Sequence, residues 1–227
     1  MLLQGSVGPP SVTSLGVGVQ PTIRLGQLGD VVVSELHGKY YEQVYRGNVY
    51  SGGTTIAALS ANTITLSSGT TPILGLYNAS TSLVNGVILQ VNLTIVSNNF
   101  TSGASAGAIV WAASTGNGGV TTGNVGWNRK MLAASGSTLK YFKLSAADAL
   151  TGITNNVVIA GGVPMPSVSA LTYGTIVSTV VQPSFTMQWD VAGSIIVPPG
   201  GVWVIINTTS STVWSVFGEV VWEEVPI

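Results

Sequence analysis

The residues with the chemistry to catalyse a reaction are few and far apart in this chain. The most specific match is Gly103-Ala104-Ser105-Ala106-Gly107, which has the Gly-x-Ser-x-Gly spacing of a nucleophile elbow. That turn needs a strand before the serine, a helix after it and a histidine later in the chain. Here the strand-like run 109–111 follows the serine, and the single histidine, His37, lies far upstream. His37 has Glu42 five residues beyond it, but one imidazole with no second histidine and no cysteine cannot assemble a transition-metal site. Glu219, Glu223 and Glu224 are the densest carboxylates. Lying just ahead of Val225-Pro226-Ile227, they read as solvated or inter-subunit charges rather than as an acid/base pair held in a cleft. Gly116-Asn117-Gly118-Gly119 and Gly38-Lys39 lack the rest of a phosphate loop. The Asn-x-Ser/Thr triplets at Asn78, Asn92, Asn99 and Asn207 follow from composition and are given no role. No catalytic residue, cofactor or metal is expected, and the chain reads as a non-enzyme.

Composition explains why so little chemistry is on offer. Charged residues make up 7% of the 227, against roughly 25% in ordinary globular domains. From Gly47 to Asn128 there is no Asp, Glu, Lys or Arg over 82 residues. Hydrophobic residues at 45% still supply a core, so the chain folds rather than staying disordered. Ionised side chains keep a monomer's surface hydrated and its neighbours at a distance. A surface of hydroxyls and amides is instead easily buried against another subunit, without the desolvation cost of burying ions. Seven Lys and Arg cannot neutralise many phosphates, so nucleic acid is not an expected partner. The absence of cysteine excludes a disulfide framework and fits synthesis in the cytoplasm. Met1–Pro10 lacks the pattern of a signal peptide, and no apolar run reaches the roughly 18 residues of a membrane span. A soluble product with no membrane partner is expected.

The elements that would carry any site are strands. In residues 86–100, Val87, Leu89, Val91, Leu93 and Ile95 fall on one face, and Ile88, Gln90, Asn92, Thr94 and Val96 on the other. Further strands are predicted at 63–66, 73–77, 108–113, 139–144, 157–160, 175–181, 185–191, 202–207 and 213–221, separated by Gly, Ser, Asn and Pro clusters. The last of these alternates Val213, Ser215, Phe217, Glu219 and Val221 with Trp214, Val216, Gly218, Val220 and Trp222, so both its faces are expected to be covered. Only 145–150 offers a helical turn. About ten strands with almost no helix predict an all-β fold, an antiparallel β-sandwich or jelly roll, whose strand order the pattern leaves open. Residues 1–29 are rich in Gly, Pro, Ser and Val without helical periodicity and read as an extended N-terminal arm. The expected division is 1–51 for the arm and neighbour-contacting segment, and 52–227 for the oligomerising sandwich.

Aromatic residues supply the candidate partner interface. Tyr40, Tyr41, Tyr45 and Tyr50 fall within a dozen residues beside Lys39, Glu42 and Arg46, and a tyrosine cluster suits either a contact surface or a core. Trp203, Trp214 and Trp222 lie in apolar strands, where packing in the core or at a subunit seam is the default. Six tryptophans in all also leave open a platform on which sugar rings stack.

Two stretches carry a resemblance. Residues 28–43, Leu-Gly-Asp-Val-Val-Val-Ser-Glu-Leu-His-Gly-Lys-Tyr-Tyr-Glu-Gln, and the ending from Ile196-Val197-Pro198-Pro199-Gly200-Gly201 through Trp222-Glu223-Glu224-Val225-Pro226, resemble small virion proteins of tailed bacteriophages, mostly head decoration or cement proteins. The likeness covers about a quarter of the chain. It implies a β domain that trimerises on the outside of the shell, with extended segments stapling adjoining major capsid subunits. On that likeness, the part before Gly52 is expected to touch the shell and the strands from Val202 to Trp222 to form the trimer seam. The expected location is the virion surface and the expected partners are further copies of the chain and the major capsid protein. A length of 227 residues is long for a minimal cement protein, which keeps a tail, fibre or adhesin module that binds a host glycan as the alternative.

Overall fold

Strands of alternating apolar residues need a second layer to cover them, and here two sheets cover each other. The computed structural model describes residues 5–6, 23–24, 39–59, 70–97, 107–114, 123–130, 133–134, 136–143, 145, 148–151, 157–165, 184–207 and 211–227. The chain divides into two compact units, Met1–Glu42 and Gln43–Ile227. In the first, β1 (Gly5–Ser6) and β2 (Ile23–Arg24) pair in parallel. The other residues of 1–38 lie outside the described residues, His37 among them, as do the predicted strands at 63–66 and 175–181 and most of the Gly103–Gly107 motif.

The second unit follows the short helix α1 (Tyr41–Arg46) with β3 (Val49–Leu59), β4 (Leu74–Tyr77), β5 (Val84–Ser97) and β6 (Gly107–Ser114). Four small strands come next: β7 (Asn124–Val125), β8 (Trp127–Asn128), β9 (Ala133–Ala134) and β10 (Lys140–Lys143). The unit ends with β11 (Val157–Met165), β12 (Ser184–Val197), β13 (Val202–Asn207) and β14 (Ser211–Pro226). The front sheet has the order β12-β5-β14-β3-β8-β9, and the back sheet β11-β6-β13-β4-β10-β7. Because β3 starts at Val49, residues 49–51 belong to the sandwich rather than to the arm.

Setting aside β7–β10, eight strands remain, and they pair as a nest. The first pairs with the last (β3 with β14), the second with the seventh (β4 with β13), the third with the sixth (β5 with β12) and the fourth with the fifth (β6 with β11), all antiparallel. The folded-over hairpin then closes through β14–β5 and β13–β6. This is the strand order of a jelly roll, the more specific of the two β-sandwich forms expected from sequence. The small strands between β6 and β11 extend both sheets at one edge, β8 on β3 and β10 on β4.

Two apolar layers result. Between the sheets, Leu74, Leu76, Trp203 and Ile205 of the back sheet meet Ile88, Val91, Leu93, Ile95, Val216, Val220 and Trp222 of the front sheet. On the other side of the back sheet, Val110, Ala112, Phe142, Val202, Val204 and Ile206 form a second buried cluster with Leu150. β13 is consequently buried at all six positions. Two glycines permit close approach: a Cβ on Gly52 would strike the Tyr141 ring, and one on Gly126 the Trp222 ring.

The phase of β5 departs from the simple alternation. Val221 of β14 is opposite Gln90, but Trp222 is opposite Ile88, so Leu89 is an extra residue on β5. A bulge of one residue exchanges the two faces beyond it. Ile88 therefore joins the core with Val91, Leu93 and Ile95, while Val87, expected on their face, is only partly buried. β12 bulges at the same level, between Asp190 and Ile195. There Ala192 (φ 51°) and Gly193 (φ 84°) turn left-handed, and the Ser194 hydroxyl donates to the Val191 carbonyl at 2.8 Å.

Candidate interaction surfaces

Burial sorts the aromatic candidates first. Trp203 and Trp222 have no exposed surface and Tyr50 is 8% exposed, so all three are core residues of their own chain. Trp203 lies in β13, covered on both faces, while Tyr50 on β3 and Trp222 on β14 face the layer between the sheets, so none of the three rings presents side-chain surface to a neighbour. Trp203 makes an edge contact with Trp111 (centroids 5.5 Å apart), which makes another with Trp189 at 5.2 Å. Tyr50 stacks on Trp222. The backbone of Trp214 lies in β14, but its ring is outside the described side chains. Of the tyrosine cluster, Tyr40 is partly buried with the Lys39 ammonium 5.1 Å from its ring centre, and Tyr41 is exposed. Tyr45 is 52% exposed, and the Lys130 ammonium lies 4.7 Å from its ring centre.

The carboxylates also separate by environment. Glu224, expected at the surface, is buried at 7% exposure and works as an acceptor. Its Oε1 receives the Ser137 hydroxyl at 2.8 Å and the Thr138 amide at 3.0 Å, with the Leu139 amide at 3.2 Å. An ionised acceptor makes stronger hydrogen bonds than a neutral one. Glu224 thus pins the 137–139 segment, ahead of β10, to the front sheet. Asp148 does the same for the back sheet, accepting from Asn124 Nδ2 at 3.0 Å and from the Lys143 amide at 3.1 Å. Glu219 pairs with Arg129 at 2.6 Å, and the guanidinium has to cross β3 from β8 to reach it. Glu223 stands apart, with no hydrogen bond or ion pair among the described residues. Desolvation raises its carboxyl above the ordinary range. Burial is also the main reason that Tyr50 and Tyr141 titrate above ordinary tyrosine, reinforced by the negative charges of Glu224 and Asp148 respectively.

The outer side of the front sheet presents the ion-poor surface that the composition implies. Thr186 pairs with Thr94 and Gln188 with Asn92 in the β12–β5 register, and the Thr94 and Thr186 hydroxyls are 3.0 Å apart in a hydrogen bond. These hydroxyls and amides are exposed or partly exposed on β12 and β5, whereas Val49, Ser51 and Val221 on the β3–β14 half are buried. Asn78 and Asn207 have no exposed surface, which removes both as glycan acceptors. Asn78 instead donates to the carbonyls of Val84 and Val197 at 2.8 and 3.0 Å, tying the end of β4 to β5 and β12.

Among the described residues, no group of three His, Asp or Glu stands close enough to hold a metal ion. No described helix is long and apolar enough to cross a membrane. In comparisons with known proteins, the chain matches no family model and no curated protein. Its functional reading therefore rests on its own residues.

Proposed function

We propose that this chain is a non-enzymatic structural protein of a tailed-phage virion, which decorates the capsid and cements it by bridging neighbouring subunits, working as a trimer. The observation that carries the reading is the open half of the front sheet, where Thr94, Thr186, Asn92 and Gln188 offer hydrogen-bonding surface with few ions. Its charges are Asp190, on the same strand face as Gln188, and Glu219, opposite Asn92 and paired with Arg129, so burying the remainder strips water from few ions. The jelly roll supports it by analogy of fold, since capsid and lectin domains both use that architecture. Because β13 and the core tryptophans are buried within their own subunit, the self-contact proposed here is this face rather than the strands 202–222. The arm within 1–42 keeps the role of reaching a neighbour.

One observation favours a second reading. Trp127 is 48% exposed, and an open indole suits stacking on a sugar ring. A fibre or adhesin module would use it that way. Electron microscopy of purified particles separates the two: density at regular positions on the head is expected, and density confined to the tail would reject the capsid role. Quenching of Trp127 fluorescence that a glycan relieves would favour the sugar binder.

A further inference from the structure

Apart from Tyr41 and Phe217, the large apolar side chains that stand exposed among the described residues fall into two groups. The first is a corner made by α1 and the β7–β8 segment, with Tyr45 52%, Val125 39% and Trp127 48% exposed. Its pieces are joined: Asn128 Nδ2 donates to the Gly47 carbonyl at 2.7 Å, and the Lys130 amide donates to Asn128 Oδ1 at 3.0 Å. Gly126 faces the Trp222 ring, so Val125 and Trp127 on either side of it point outward. The Lys130 ammonium lies over Tyr45, a contact that orders a flexible cation without removing its charge.

The second group lies at one end of the front sheet, with Leu83 81%, Ile196 57%, Val225 37% and Ile227 75% exposed. Register makes it continuous. Ile196 is opposite Val87, Val87 is opposite Glu223, Val225 is opposite Asn85, and the Ile227 amide donates to the Leu83 carbonyl at 3.1 Å. Glu223 sits within this patch, in one row with Val87 and Ile196.

The two groups are complements. One is aromatic with a positioned lysine; the other is aliphatic with a partly desolvated carboxylate that no cation meets among the described residues. Within one copy Ile196 on β12 lies four strands from β8, about 19 Å at roughly 4.8 Å per strand. Glu223 on β14 lies two strands away, about 10 Å, while the Lys130 ammonium is held over Tyr45 and makes no ion pair with Glu223. We propose that they meet between copies: the Tyr45, Lys130 and Trp127 corner of one chain seats on the Ile196, Glu223 and Val225 patch of the next, with Lys130 opposite Glu223. Two unlike surfaces make a heterologous contact, which repeats around an axis and closes as a ring. The inference rests on the self-assembling half of the proposed function and assigns its contact. The ion pair sets register and orientation, while the apolar groups and the neighbouring amide face supply the buried area.

Sedimentation velocity over a micromolar concentration series tests it, with near-ultraviolet circular dichroism to verify that each variant is folded. Lys130→Glu and Glu223→Lys are each expected to raise the dissociation constant about 10- to 100-fold. The double variant is expected to restore association, since the charges are exchanged across the same contact. Lys130→Gln and Glu223→Gln give smaller shifts in the same direction. A wild-type chain that stays monomeric throughout overturns the contact together with the trimer. A wild-type oligomer that neither reversal weakens, or that the double variant fails to restore, overturns this contact and leaves the trimer standing. Binding of each variant to purified particles, measured separately, reports on the capsid role alone.

Discussion

β13 and β12 are both read as strands from the sequence, yet they end in opposite circumstances. β13 is central in the back sheet and buried at every position, with Trp203 and Ile205 in one layer and Val202, Val204 and Ile206 in the other. β12 is the edge strand of the front sheet, and its outward residues Thr186, Gln188 and Ile196 are exposed. A strand with two greasy faces has been consumed by its own subunit. The surface available to neighbours lies where one face is apolar and the other carries amides and hydroxyls. Aromatic richness on its own does not distinguish the two.

The comparison can be broken most forcefully at β13. Trp203→Ala should cost about 3–5 kcal/mol, seen as a lower denaturant midpoint. It removes an enclosed ring and the edge contact with Trp111. Were the loss to appear only in association and not in the stability of the isolated subunit, β13 would belong to a seam after all. Next in size is Glu224→Ala, with an expected cost of about 3 kcal/mol, because the Ser137, Thr138 and Leu139 donors lose a charged acceptor. Amide hydrogen exchange should accelerate first at Thr138 and Leu139. Gly126→Ala forces a methyl group against the Trp222 ring and should cost about 1–3 kcal/mol, measured by thermal unfolding.

The edge side of the comparison predicts small effects on folding. Thr186→Val should change subunit stability by less than about 0.5 kcal/mol, since Thr186 is exposed and its one observed partner, Thr94, remains solvated. The same change should weaken assembly if the open face is the buried one. Glu223→Gln gives the finest discrimination. Desolvation raises the folded pKa of Glu223, so the folded subunit binds this proton more tightly than the unfolded chain does. That contribution is fully present below the ordinary carboxylate range and is lost as pH rises through the folded value. Monomer stability of Glu223→Gln should therefore fall less across that window than that of the wild type, a difference read from denaturation curves on either side of it.

Where strand and surface agree with the sequence, the reason is local. The regular alternation of Val91, Leu93 and Ile95 declares its inward face without help from the rest of the chain. Other features were set by tertiary contacts. β3 runs through Gly52 and Gly53, poor strand formers, because the Tyr141 ring lies across Gly52 and leaves no room for a side chain. The sequence predicts a strand ending at Val191; Ala192-Gly193 instead forms a bulge, and the strand resumes to Val197. Glu224 resembled its neighbours Glu219 and Glu223 in sequence, and only the return of residues 137–139 makes it a buried acceptor. The corner of Tyr45 and Lys130 joins residues 85 apart in the chain, a separation that no local pattern encodes.

The nested pairing also has a consequence for biosynthesis. β3 is the first long strand to be made and β14 the last, yet each is the other's hydrogen-bonding neighbour. While residues 211–226 are still within the ribosome, β3 lacks that neighbour and β5 has only β12 beside it. Loops of such length must close before their contacts reward the closure, which slows folding. Synthesis itself thus acts as a timer, withholding a finished front sheet until β14 has emerged.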